Sequence, residues 1–272
     1  MHGNINFAYE RKGEADRGVI EVKQFKILSI FPLVIIAGQV LPTEYSLAIG
    51  TIFAVAGLVK KFRALLLFGF AMLGHLFWIF TSGYFAANIY DRSLLIIVGR
   101  FGLIGYIILF VLWRYFQPCD SRYLRLGNLK ESLKFPLIWW GFKEYIWRFI
   151  LIFCISCFAA TVFFSIHNNA FSIMLYGFIF ALINSLLEGL LWRGLILERV
   201  VDFLGEKQAL VITSLAFGFY HLSLGFSIWI CLVFAIGGFY MGGCAIKSKG
   251  LFAPIMMHLF VNMIFVSVGI IF

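Results

Sequence analysis

Apolar residues run along this chain in long blocks and seldom alternate with polar ones. Blocks at 26–42, 45–60, 63–85, 93–113, 149–166, 170–192, 208–226, 228–246 and 251–271 carry few charges. Each approaches the roughly 17–25 residues that an α-helix needs to cross the hydrocarbon of a bilayer. The pattern predicts an all-α protein, a polytopic transmembrane helix bundle of about nine spans. Polar stretches divide it: 1–25 reads as a cytoplasmic tail, 26–113 as N-terminal transmembrane helices, 114–148 as the longest connection and 149–272 as a second helix bundle. The stretch ahead of the first block is too long and too mixed in charge for the basic start of a cleavable signal peptide. The first span is therefore expected to stay in the mature protein.

Composition strengthens the membrane reading. The 272 residues are 62% hydrophobic and 13% charged, and the mean hydropathy is +0.97, whereas soluble domains carry roughly 25% charged residues. Lys and Arg number 22 against 13 Asp and Glu, a net charge of +9. In a soluble protein that excess would raise nucleic-acid binding; here its placement argues otherwise. All the Lys and Arg except Arg92 and Arg100 fall in the amino-terminal tail or on every second connection, as cytoplasmic loops require. Nine spans then put the amino terminus inside and the carboxyl terminus outside, and no nucleic-acid partner is expected.

Several features read as structural. The connection 114–148 includes KFPLIWWGFKEYIWRF, whose mixture of bases and aromatics suits a helix lying in the headgroup plane. Gly237, Gly238, Gly242 and Gly243 give small-xxx-small spacings that let helices approach closely in lipid. His75 has no partner at helical spacing and reads as a packing residue. Arg100 lies inside an apolar block and either snorkels or pairs with a distant group. Cys119, Cys154, Cys157, Cys231 and Cys244 suggest neither a disulfide nor a zinc knuckle; the CxxC of Cys154 and Cys157 lies within a span, without the context of a redox motif.

Chemistry enters at NSLLEGLLWRGLILERV, residues 184–200. Glu188 is a carboxylate in an apolar helical run, and ionisable groups at membrane depth mark function by default. Two later blocks supply company, Phe217-x-x-x-His221 and His258-x-x-x-Asn262. Asn184 and Glu188, Phe217 and His221, and His258 and Asn262 each share a helix face. Counted from the basic loops, Glu188, His221 and His258 lie on the order of 13–21 Å from the cytoplasmic boundary, so the three can meet at one depth. Arg193 is five residues from Glu188, about 140° round an α-helix, and is expected to cap the helix end or pair elsewhere. A carboxylate, two imidazoles and an amide are the parts that hydrolyse an amide in a dry site. The same set could take zinc through Glu188, His221 and His258, although the H-E-x-x-H signature is absent.

These three motifs, in this order, resemble the CPBP family of intramembrane proteases, which includes the CAAX prenyl endopeptidases and bacteriocin-processing or immunity homologues. The resemblance covers residues 145–272, so that 149–272 becomes a CPBP-like catalytic helix bundle. It implies an intramembrane endopeptidase that cuts a membrane-associated protein or peptide, lipidated or not, near its carboxyl terminus, in the bacterial cell (inner) membrane. It implies that Glu188 and His221 activate the hydrolytic water and that His258 and Asn262 bind the oxyanion. Arg193 matches the motif arginine, structural or substrate-binding, with Phe217 beside it. No cofactor is required on this reading, and zinc remains the metal to test. The family usually has two adjacent glutamates; this chain has Glu188-Gly189. Two other functions fit the same residues: a proton-coupled transporter, with Glu188, His221 and His258 as relay, and a catalytically inert scaffold or immunity protein. A transporter would be expected to have paired halves, which the sequence lacks.

Overall fold

The computed structural model describes residues 26–117 and 122–272. The expected tail and Cys119 lie outside the described residues. Each of the nine apolar blocks is helical, and the chain is all-α, 80% helical. The amino-terminal half holds α1 (Phe31–Val40), α2 (Thr43–Val59), α3 (Arg63–Asn88), α4 (Arg92–Val98) and α5 (Leu103–Phe116), with a 3-10 turn, Gly99–Gly102, joining the last two. The carboxyl-terminal half holds α6 (Ile146–His167), α7 (Met174–Glu188), a π-helical stretch (Gly189–Ile196), α8 (Leu197–Tyr220), α9 (Ile228–Ser248) and α10 (Phe252–Ser267). Among the described residues five helical segments are long and apolar enough to cross a membrane: Arg63–Asn88, Arg92–Phe116, Ile146–His167, Ala170–Leu224 and Ile228–Ser248. The difference from nine has two sources. Lys26–Val40, Thr43–Val59 and Phe252–Ser267 are shorter apolar helices, and two blocks fall within Ala170–Leu224. That segment is interrupted at Gly205, whose φ of 74° and ψ of 171° break the helix and suit a residue without Cβ.

The connection 114–148 departs from expectation. Instead of an interfacial helix, Ser132–Pro136 (β1) and Gly141–Tyr145 (β2) form an antiparallel hairpin in the register Ser132↔Tyr145 to Pro136↔Gly141. Local chemistry explains it. Pro136 cannot continue a helix, Gly141 sits at φ 115°, and along β1 Leu133 is buried while Lys134 is exposed, the two-residue alternation of a half-buried strand. The composition of this connection was legible; its period of two was the better guide. Phe135 stacks on Tyr240 of α9, centroids 6.0 Å apart, and Ile138 is buried against Gly243. The hairpin thereby packs against α6 through β2 and against α9 through β1.

Packing around the later helices is close. A Cβ at Gly238 would lie 2.9 Å from Phe217 Cδ1 and 3.4 Å from Ser214 Cα, and one at Gly218 would overlap the Cys231 carbonyl. The α8 and α9 backbones are therefore nearly in contact, as small residues permit in lipid. Helix α10 packs on α6 and α7, and α1 on α8. Polar clamps tie the halves together. Glu198 accepts from Arg114 Nη1 at 2.5 Å and from the Arg122 backbone N–H, Arg122 pairs with Asp202 at 3.0 Å, and Arg199 Nη2 donates to the Gln117 carbonyl at 2.7 Å. His75 is buried and stacks on Trp78, centroids 5.6 Å apart. Cys154, Cys157, Cys231 and Cys244 are free thiols.

Candidate active site

Glu188 is the last residue of α7, and the helix widens to π geometry immediately after it. A π stretch is uncommon and is found most often at functional sites. It costs backbone regularity and re-aims the side chains that follow. Gly189 lets α10 approach: a Cβ there would meet Ile255 Cγ1 at 2.7 Å. Ile255 thus packs where a second glutamate would have to start. Arg193, within the π stretch, makes no ion pair with Glu188. Its guanidinium lies 4.2 Å from the Phe217 ring centroid, and Nη2 donates to Met241 Sδ at 3.5 Å.

Glu188, Phe217, His221, His258 and Asn262 all line one cavity of about 1010 Å³, and Arg193 does not. The volume is at the upper end of the roughly 300–1,000 Å³ typical of ligand pockets. It is mainly apolar, running from Phe135 and Phe142 of the hairpin past Glu188 to Phe180 and Ile270. Within it the polar groups are few and largely unpartnered. Glu188 is 1% exposed; neither carboxylate oxygen has a partner in ordinary hydrogen-bond geometry among the described residues, and the Asn184 side chain, one turn back on α7, is the amide beside it. His258 Nε2 lies 3.6 Å from Glu188 Oε2, just beyond direct hydrogen-bond range and at a separation that one water can bridge. His258 Nδ1, Asn262 Nδ2 and Asn184 Oδ1 are likewise buried without partners.

His221 differs. It begins the 3-10 turn His221–Leu224 after α8, and its Nδ1 is 2.8 Å from the Phe217 carbonyl. A carbonyl only accepts, so Nδ1 carries the hydrogen and Nε2 is left as an acceptor on a ring that lines the cavity. The turn is held from 180 residues away in sequence. Gln39 of α1 accepts from the Ser223 N–H at 2.6 Å and donates to the Phe219 carbonyl at 3.0 Å.

Sequence reasoning left two of these residues without a role. Gln39 is one; its only signal was being an amide in an apolar run. Arg100 is the other. It sits in the 3-10 turn between α4 and α5, lines the cavity, and lies 5.2 Å from the Phe180 ring centroid. Its Nε is buried and unbonded, and no ion pair among the described residues engages it. An arginine at membrane depth costs about 2.5–3.5 kcal/mol or more, and a cation–π contact returns about 0.5–2 kcal/mol, so the aromatic face alone leaves a deficit.

A zinc ion would need three convergent protein ligands and an open position. Among the described residues no three His, Cys, Asp or Glu side chains come together in that way. The residues present do not fit a three-ligand metal shell, and no step below is routed through a metal.

The arrangement can bind a chain in a mainly apolar cavity and present a water to a carboxylate beside two imidazoles and an amide donor. Against known proteins, the family model for type II CAAX prenyl endopeptidases, Rce1-like, matches residues 170–264, a segment that contains Glu188, Arg193, Phe217, His221, His258 and Asn262. No curated protein and no solved structure matches the chain. Residues 170–264, from the turn before α7 through most of α10, are thus similar to the Rce1-like type II CAAX prenyl endopeptidases, in a chain whose described residues include five helical segments long and apolar enough to cross a membrane.

Proposed function

We propose that this protein is an intramembrane endopeptidase that hydrolyses a peptide bond near the carboxyl terminus of a membrane-associated substrate, using a water activated by Glu188. The observation that carries this reading is the Glu188 carboxylate: buried, without a partner in ordinary hydrogen-bond geometry among the described residues, 3.6 Å from His258 Nε2 and open to the apolar cavity. Water placed there loses a proton to Glu188 as its oxygen attacks the scissile carbonyl carbon, and His221 Nε2 orients it by accepting its second hydrogen. The carbonyl oxygen becomes an oxyanion, for which Asn262 Nδ2 is a donor with no other partner and His258 a second. Glu188 then returns the proton to the departing amine as the C–N bond breaks. Phe217 packs between the His221 and His258 rings, at 4.9 and 6.0 Å, and holds their spacing. Arg193, beneath Phe217, supports that ring from outside the cavity.

The same reading assigns about nine passes, with the amino terminus and the hairpin on the cytoplasmic side of a bacterial cell (inner) membrane. The hairpin's aromatic and basic neighbours support an interfacial position: Lys207 Nζ lies 4.6 Å from the Trp140 ring and Lys247 Nζ 5.1 Å from Trp139. One observation favours a second reading, an inert scaffold or immunity protein. Gly189 stands where the family usually has a second glutamate, and Ile255 occupies the adjoining space. A panel of lipidated and unlipidated peptides offered to the protein in nanodiscs, with and without chelator, separates the two. Cleavage that ignores chelator and disappears in Glu188→Gln supports the peptidase. A cellular phenotype retained by Glu188→Gln, with no peptide cut, supports the scaffold.

A further inference from the structure

Arg100 is a cation in the wall of the cavity that makes no ion pair among the described residues. Its backbone turn is 3-10 within an otherwise α-helical pass, and such a turn in mid-helix re-aims the side chains it carries. The guanidinium stands against Phe180 of α7, on the cavity wall with Glu188. Glu188 is within electrostatic reach of Arg100 but forms no ion pair with it. Two groups of opposite charge that line one cavity without pairing can each act on a different part of a bound molecule.

Building on the peptidase reading, we infer that Arg100 receives the terminal carboxylate of the substrate and so determines cleavage near the chain end. Arginine pairs with carboxylates through parallel N–H···O bonds, and such charge-assisted pairs are strong where water is scarce. Arg193 is excluded from this role by position, because its guanidinium lies beneath Phe217 beside Met241, outside the cavity lining. The spacing agrees. Phe180 and Glu188 are eight residues apart on α7, about 12 Å at 1.5 Å per residue. An extended chain covers about 3.3–3.6 Å per residue, so a carboxylate held beside Phe180 sets a scissile bond beside Glu188 about three to four residues from the end. The rest of the substrate then extends the other way, along Phe149, Phe153 and Tyr240 toward the hairpin.

The test uses the full chain in nanodiscs and three quenched fluorescent peptides of one sequence. The first ends in a free carboxylate, the second in a carboxamide, and the third in a carboxamide with an acidic last side chain. Wild-type protein is expected to cleave the first with kcat/KM about 100-fold above the second, chiefly through KM, the usual size of a lost hydrogen bond to a charge. Arg100→Gln should lose this preference, read as the ratio of the two kcat/KM values within that variant, with an unfolding midpoint like that of the wild type showing that it folds; Arg100→Lys should restore part of the preference. Equal cleavage of carboxylate and carboxamide by wild type, or a preference retained in Arg100→Gln, overturns the assignment and leaves the peptidase reading standing. Cleavage of the third peptide as fast as the first overturns the chain-end role in favour of a side-chain anion. No cleavage of any peptide by wild type removes the peptidase reading and this inference with it.

Discussion

Two buried glutamates ten residues apart, Glu188 and Glu198, face opposite environments. Both are 1% exposed. Glu198 is fully engaged, accepting from Arg114 and from the Arg122 N–H at the junction of the molecule's halves. Glu188 has no partner in ordinary hydrogen-bond geometry among the described residues, one imidazole at 3.6 Å and an open cavity beside it. A buried charge whose partners come from the fold stabilises an arrangement, while one left without them is a cost that the rest of the structure sustains. The second kind marks chemistry. The comparison also separates the clamp that joins the halves from the site that the clamp positions.

The largest expected effect is on turnover at Glu188. Glu188→Gln should lower kcat by about 10²–10⁴-fold, the range for a general base, with little change in thermal stability. Close behind, Asn262→Ala should cost about 10²–10³-fold in kcat, the usual loss for one oxyanion donor, read from the same cleavage assay. Glu198→Gln should do the reverse. Breaking a buried pair costs about 3–5 kcal/mol, less here because the Arg114 partner reaches solvent; a lowered unfolding midpoint with kcat per folded molecule largely kept would confirm the contrast.

Much of this was legible beforehand, for stated reasons. The helices follow from uninterrupted apolar blocks, and Glu188, His221, His258 and Asn262 stand out because polar groups in such blocks need a purpose. The hairpin at 132–145 was hidden because its aromatic and basic composition also suits an interfacial helix, and only the Leu133-in, Lys134-out alternation distinguishes them. Partners distant in sequence were hidden as well. Nothing in Gln39 announces a bond to the turn after His221, and nothing in Arg100 announces Phe180. The π stretch after Glu188 has no pattern of its own beyond glycines that allow close approach.

Smaller effects sharpen the contrast. Gly189→Ala should destabilise by about 1–3 kcal/mol through overpacking against Ile255, with recovery in the double variant Gly189→Ala, Ile255→Ala; no recovery would place the strain elsewhere. Gln39→Ala leaves the Ser223 N–H and Phe219 carbonyl without their partner. It should cost about 1–2 kcal/mol, with a smaller loss of turnover than any change within the site itself.

The most direct measurement takes Glu188→Gln and Glu198→Gln side by side in one nanodisc preparation, reading turnover on a cleavable peptide and the unfolding midpoint of each. The account predicts that Glu188→Gln unfolds like the wild type and does not cleave, while Glu198→Gln unfolds early and cleaves while folded. Wild-type turnover in Glu188→Gln would contradict it.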